Sequence, residues 1–184
     1  MLFYLKNIFQ LILSPTNGWH DIAGDETPVD TLTSRGLYPL MAIMLVTVFI
    51  RPLYGLGAFD LVVLLQTALI QFVAIFAALF IGKTVLTNML PKYNSSGADD
   101  PVAAETVAVY TIGLIAIVQI FENLLPVDLT IMRFLPILVI IPLWKSAEYL
   151  EIETEHESMV MSTAAVALIL PVIGLNFVMS YLIG

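Results

Sequence analysis

Apolar residues fill five runs in this chain, and most charged residues fall between them. Residues 61–82 and 159–183 contain no charged side chain at all. At a rise of ~1.5 Å per residue each run reaches ~30 Å or more, the thickness of a bilayer's hydrocarbon core. The pattern predicts an all-α, polytopic transmembrane bundle of five spans, at about residues 37–54, 59–82, 102–125, 129–144 and 159–183. Residues 1–36 form a separate N-terminal segment, and 37–184 form the membrane domain.

Within the N-terminal segment, Leu2, Leu5, Ile8, Phe9 and Ile12 recur at helical spacing, with Lys6, Asn7 and Gln10 on the other side. This predicts a short amphipathic helix. Twelve residues are too few to span, so the helix either lies on the membrane or packs against the bundle. Residues 14–36 carry Pro15, Gly18, Gly24 and Pro28 and read as a cytoplasmic connector, with Trp19 at headgroup level.

The spans differ in quality. Arg35 and Arg51 flank the first, Pro39 sits in its first turn, and Pro52 helps to end it. In the second, Ala74, Ala78 and Gly82 form a stripe of small residues that predicts close approach of another helix, and offers a route to a homo-oligomer. Residues 83–101 read as a solvated loop. The Asn94-Ser95-Ser96 acceptor triplet in it carries no weight if that loop is cytoplasmic. The fourth run is short and contains Arg133, Pro136 and Pro142, so a broken or tilted helix is expected there. Pro171 interrupts the fifth, which predicts a kink.

Composition agrees with the pattern. The 184 residues are 59% hydrophobic and 12% charged, and mean hydropathy is +0.95. A soluble domain would carry about 25% charged residues. The lipid bilayer is the first partner. The net charge of −8 argues against nucleic acid. Without cysteine, disulfides, thiol catalysis and zinc–thiolate sites are excluded. No small-residue cleavage site follows Lys6, so the first span is read as its own insertion signal. Lys6, Arg35, Lys83, Lys92 and Lys145 fall on one side of a five-span bundle, Arg51 and Arg133 on the other. The excess places the N-terminus in the cytoplasm and the C-terminus outside.

Candidate chemistry is sparse. No His-Glu-x-x-His, Gly-x-Ser-x-Gly, Walker or dinucleotide motif occurs. Ser34, Ser158, Ser162 and Ser180 lack an obvious base. No catalytic residue, cofactor or metal site is assigned, and an enzyme is the least supported class. On a helix, Glu148, Glu151 and Glu155 would share a face beside His156, which could hold a divalent cation weakly. A solvated acidic connector is the plainer reading. His20 with Asp21 and Asp25 is weaker still. Asp60, Glu105 and Glu122 lie near span ends; Gln66, Gln71, Gln119 and Asn176 lie deeper. Buried polar groups in membranes bond between helices or line a path. If a path exists, Glu105, Gln66, Gln71 and Gln119 are its candidates, because the second and third spans are neighbours in sequence. Ion pairs of Arg51 with Asp60, and of Arg133 with Asp128 or Glu122, would pin the turns.

Three segments point to a family. SPTNGWHDI (14–22) places a proline and then a tryptophan before the first span. PLWKSAEYLEI (142–152) closes the fourth span with an aromatic-basic-small group and a short polar connector. ALILPVIGLNFVMSYLIG (167–184) carries a proline within the last span. With the order of five spans, the chain resembles the Yip family of Ypt/Rab-interacting membrane proteins, in a compact form like the bacterial members. The resemblance covers nearly the whole chain. It implies a five-span fold and a location in the bacterial cytoplasmic membrane more than an activity. The function expected is therefore a non-enzymatic scaffold that recruits a protein partner on its cytoplasmic face. Pro15, Trp19, Glu148, Glu151 and Glu155 are the candidate contacts. A small transporter or channel is the alternative.

Overall fold

A computed structural model describes residues 1–25, 27–54, 59–95, 100–125 and 130–183. Those residues are all-α, with one isolated antiparallel bridge, between Asn94 and Ile152. Four helical stretches are long and apolar enough to cross a membrane: Val29–Tyr54, Leu61–Tyr93, Pro101–Leu124 and Glu157–Val178.

The first is composite. It joins α3 (Val29–Leu32), a π-helical turn (Thr33–Leu37), α4 (Tyr38–Val48) and a 3₁₀ turn (Arg51–Tyr54). Pro39 explains the π turn. Its ring has no N–H to donate and clashes with the carbonyl four residues back. The preceding turn widens, and the Tyr38 N–H reaches back five residues to the Thr33 carbonyl.

The second span, α5 (Leu61–Tyr93), starts on Asp60, whose carboxylate accepts from the Val62 N–H at 2.9 Å and the Val63 N–H at 3.2 Å. It then runs 33 residues, ~50 Å, well past a bilayer core. The expected loop from residue 83 is therefore helical as far as Tyr93. Leu86 and Leu90 extend the buried stripe of Ala78, Leu79 and Gly82, and both are almost fully covered. The polar residues between them concealed this continuation.

α6 (Pro101–Leu124) is the hub. Asp100 caps it through the Ala103 N–H at 3.0 Å, and Pro101 sits in its first turn. Most of its side chains from Ala103 to Ile117 are buried. The interactions of Lys83 with Glu105 and of Gln71 with Asn123 set α5 antiparallel to α6. α9 (Glu157–Ile183) runs antiparallel to α5, with Leu168 over Gly82 and Glu153 N–H on the Tyr93 carbonyl.

The fourth apolar run is a 3₁₀ helix (Thr130–Val139) followed by α7 (Ile140–Trp144). Pro136 removes a backbone donor inside the 3₁₀ stretch, which disfavours regular α structure there, whereas Pro142 sits in the first turn of α7, where its missing N–H costs little. The short α8 (Ser146–Tyr149) follows.

The N-terminal segment departs most from expectation. α1 (Leu2–Leu13) packs against the bundle, the second of the two placements open to it, and the expected connector begins instead with a second helix, α2 (Pro15–Ala23), so residues 2–23 form a helical hairpin. α1 buries Tyr4, Asn7, Ile8 and Leu11, while Leu2 stays 86% exposed and Phe9 and Ile12 point outward. The buried face thus mixes apolar Ile8 and Leu11 with the hydrogen-bonding Tyr4 and Asn7. Lipid accepts Leu and Phe as readily as a protein core does, whereas Tyr and Asn need partners that only protein supplies. Gly36 and Gly113 make room: a Cβ on Gly113 would stand 2.7 Å from Ile8 Cδ1, and one on Gly36 would stand 2.6 Å from Tyr4 Cγ.

Candidate functional site

Polar residues gather at the two ends of α6, and the two gatherings differ in character. At the Asn123 end, Gln71 and Asn123 exchange amide hydrogen bonds, both at 3.2 Å. The Asn123 amide also donates to Thr47 Oγ1 at 3.1 Å and to the Met44 carbonyl at 3.4 Å. Asn123 is 1% exposed and Gln71 9%. This knot ties α4, α5 and α6 together in dry surroundings, where an unpaired amide is costly. Asn123 and Thr47 were not foreseen. Asn123 lies at the span's end beside Glu122, where headgroup exposure was the natural expectation.

At the Asp100 end the groups are aromatic or charged. Tyr4 Oη donates to the Val109 carbonyl at 2.7 Å, and Asn7 donates to Tyr110 Oη at 3.0 Å. The rings of Tyr4 and Tyr110 stack at 5.1 Å. Trp19 is 2% exposed. Its indole N–H donates to the Pro142 carbonyl at 2.7 Å, its ring stacks on Tyr149 at 5.4 Å, and it meets Tyr110 edge-on at 6.1 Å. Trp19 is therefore an internal clamp, not a headgroup anchor or an exposed partner contact. The SPTNGW and PLWKSAEY segments, far apart in sequence, touch each other through it. Burial pushes the Tyr149 hydroxyl above its ordinary value. Asp100 adds to that rise and the bond with Thr106 opposes it.

The four path candidates do not all come together at one place. Gln66 is exposed on the outer side of α5. Gln71 is spent in the knot. Glu105 pairs with Lys83 at 2.8 Å, their side chains 27% and 45% exposed. Gln119 is buried one turn from Asn123, with its Oε1 unbonded. Fourteen residues of α6 separate Glu105 from Gln119, ~21 Å along the axis. Asn176 is half-buried on α9.

The acidic connector is not helical throughout. After α8 the chain turns at Glu151, with φ 51°, and folds over the end of α5. Ser95 N–H and Oγ both donate to the Glu151 carbonyl at 2.9 Å. Glu148, Glu151 and Glu155 are exposed but no longer share one helical face, and Pro15 is half-buried. Glu148 and Glu151, with Lys145, line two clefts of about 410 and 430 Å³. His156 lies 3.7 Å from Glu153 and its ring 4.9 Å from Tyr93. No cluster of three potential metal ligands exists among the described residues, and His20 is exposed with no such cluster beside it.

Ala74, Ala78 and Gly82 are all buried; at Gly82 the covering group is Leu168 of α9. Their stripe thus serves a contact within the chain. The expected pairs of Arg51 and Arg133, and the Ser96 of the acceptor triplet, lie outside the described residues and side chains. No family model matches this chain, and neither does any curated protein or solved structure.

Proposed function

We propose that this protein is a non-enzymatic, Yip-like scaffold of the bacterial cytoplasmic membrane that recruits a protein partner through its acidic connector. One observation carries the reading. Glu148, Glu151 and Glu155 project from a connector whose backbone is tied to the end of α5, so their charges are held in place for a basic partner segment. The contact between the SPTNGW and PLWKSAEY segments adds support, since it makes one folded unit of both. Gln71 and Gln119 both lie near Asn123, but Gln66 faces outward and Glu105 stands ~21 Å from Gln119 along α6, which favours the scaffold reading over a transport path.

The reading includes five crossings, with the connector and N-terminus in the cytoplasm and the C-terminus outside. Ten 3₁₀ residues at ~2.0 Å and five α residues at ~1.5 Å let residues 130–144 reach ~27 Å, close to a bilayer core. The same fifteen residues as α-helix would reach only ~22 Å. The cysteine-free chain allows a clean test: single cysteines at Leu125 and Glu155 label from opposite sides of sealed vesicles if this run crosses. Labelling from one side removes the fifth crossing.

The partner is tested by crosslinking in native membranes, capture and mass spectrometry. A reproducible partner lost in the Glu148→Lys, Glu151→Lys, Glu155→Lys triple variant supports recruitment. Recovery of this chain alone from both overturns it and directs attention to flux assays in liposomes.

A further inference from the structure

We propose that the cleft between the π turn, α5 and α6 is a lateral binding site for a phospholipid with a zwitterionic, ammonium-bearing headgroup. The cleft encloses about 420 Å³, within the ~300–1,000 Å³ of small-molecule sites. It straddles a chemical boundary. Lys83 is the first charged residue on α5 after the 22 uncharged positions 61–82, and Glu105 is the last on α6 before the 16 uncharged positions 106–121. The ion pair of Lys83 and Glu105 therefore marks the level at which the lining changes from polar to apolar. Asp30 and Thr33 stand with that pair at one end, and Tyr38, Phe76 and Phe80 form the other.

The apolar end is an aromatic wall. Tyr38 and Phe76 stack with centroids 6.3 Å apart. Tyr38, Phe76 and Phe80 are exposed on the lateral surface of two spans, so an acyl chain enters sideways from the bilayer without dehydrating. The polar end decides which lipid. Its charged groups are two carboxylates, Asp30 and Glu105, against one ammonium, Lys83. An anionic headgroup meets a net negative lining. A zwitterion is matched: its phosphate faces Lys83, whose ammonium has three N–H donors and spends only some on Glu105, and its own ammonium faces the carboxylates. The site is apart from the acidic connector and does not depend on the partner reading.

The test is lipid competition on the full chain, purified and delipidated, with bound lipid counted by native mass spectrometry. The probes are phosphatidylethanolamine, phosphatidylcholine and phosphatidylglycerol of equal chain length. The expected result is retention of phosphatidylethanolamine over phosphatidylglycerol by about fivefold, the equivalent of one net hydrogen bond of ~1 kcal/mol. Phosphatidylcholine, a cation without N–H donors, should fall between. The Asp30→Asn, Glu105→Gln double variant should lose the preference. Equal retention of all three lipids, or a preference untouched in the double variant, overturns the proposal; so does a preference for phosphatidylglycerol. A second copy of the chain in place of lipid also overturns it. If the double variant does not fold, Phe80→Trp replaces it. Chain-brominated phosphatidylethanolamine in nanodiscs should quench the added fluorescence more than brominated phosphatidylglycerol, and equal quenching counts against the site.

Discussion

The two ends of α6 solve the same problem in opposite ways. At Asn123, the amides of Gln71 and Asn123 satisfy each other, and the cleft along this half of α6, between Leu114 and Phe121, is lined almost wholly by apolar side chains. At Asp100, aromatic rings and charges are held by single long-range contacts, and three clefts of about 410–430 Å³ open beside them. Of the two, the Asp100 end is the one whose clefts are lined by charged side chains. A membrane protein can afford few polar residues, so those that close on each other serve assembly, and those left half-exposed are the candidates for binding.

Substitutions can break this comparison, and the largest effect is expected at Trp19. Trp19→Ala removes a buried ring stacked on Tyr149 together with the bond to the Pro142 carbonyl. A loss of ~3–5 kcal/mol is expected in reversible unfolding in detergent or bilayer. A loss near zero would mean that the open end is held by something other than this clamp. Trp19→Phe keeps most of the ring and should cost about 1 kcal/mol through the lost hydrogen bond.

At the closed end, Asn123→Leu leaves the Gln71 amide buried without its partner and should cost ~1–3 kcal/mol. Adding Gln71→Leu should recover part of that loss. The coupling read from the double-mutant cycle should be about 0.5–1.7 kcal/mol, the range of interhelical bonds in membranes. Additive losses would show that the two amides do not act together. On the intrachain stripe, Ala78→Leu overpacks a fully buried position on α5; a loss of ~1–3 kcal/mol is expected. Unchanged size and melting would refute close packing there.

The smallest effect is expected at the half-exposed pair. Glu105→Gln should change melting by no more than ~1 kcal/mol, since exposed ion pairs contribute little. A clear drop in lipid retention with unchanged melting would sharpen the contrast between a residue that holds the fold and one that serves a ligand.

Hydropathy alone determined that the chain has several helices long and apolar enough to cross a membrane, and it placed three of them to within a few residues at most of their ends. A chain in lipid must satisfy its backbone internally, so a sufficiently long apolar run leaves only the helix. Other features were legible but misread. The continuation of α5 to Tyr93 was hidden because Leu86 and Leu90 alternate with Lys83, Thr84, Asn88 and Lys92, a pattern that looks like a loop beside a 22-residue apolar run. The apolar stripe of residues 2–12 left open whether α1 lies on the membrane or packs on the bundle, since lipid and protein accept its Leu and Phe alike, and only part of the stripe, Ile8 and Leu5, meets the core.

Only the tertiary structure decided which polar groups met. Tyr4 and Asn7 find α6 across more than a hundred residues, Trp19 finds Pro142, and Gln71 and Asn123 find each other. Gln66 and Gln71 look alike on the page, yet one faces outward and the other is buried in the knot. Their difference is five residues of helix, a rotation of about 140°. In water the hydrophobic effect would have oriented this helix. In a bilayer that force is absent between spans, and orientation falls to a few hydrogen bonds and small-residue contacts whose partners lie elsewhere in the chain.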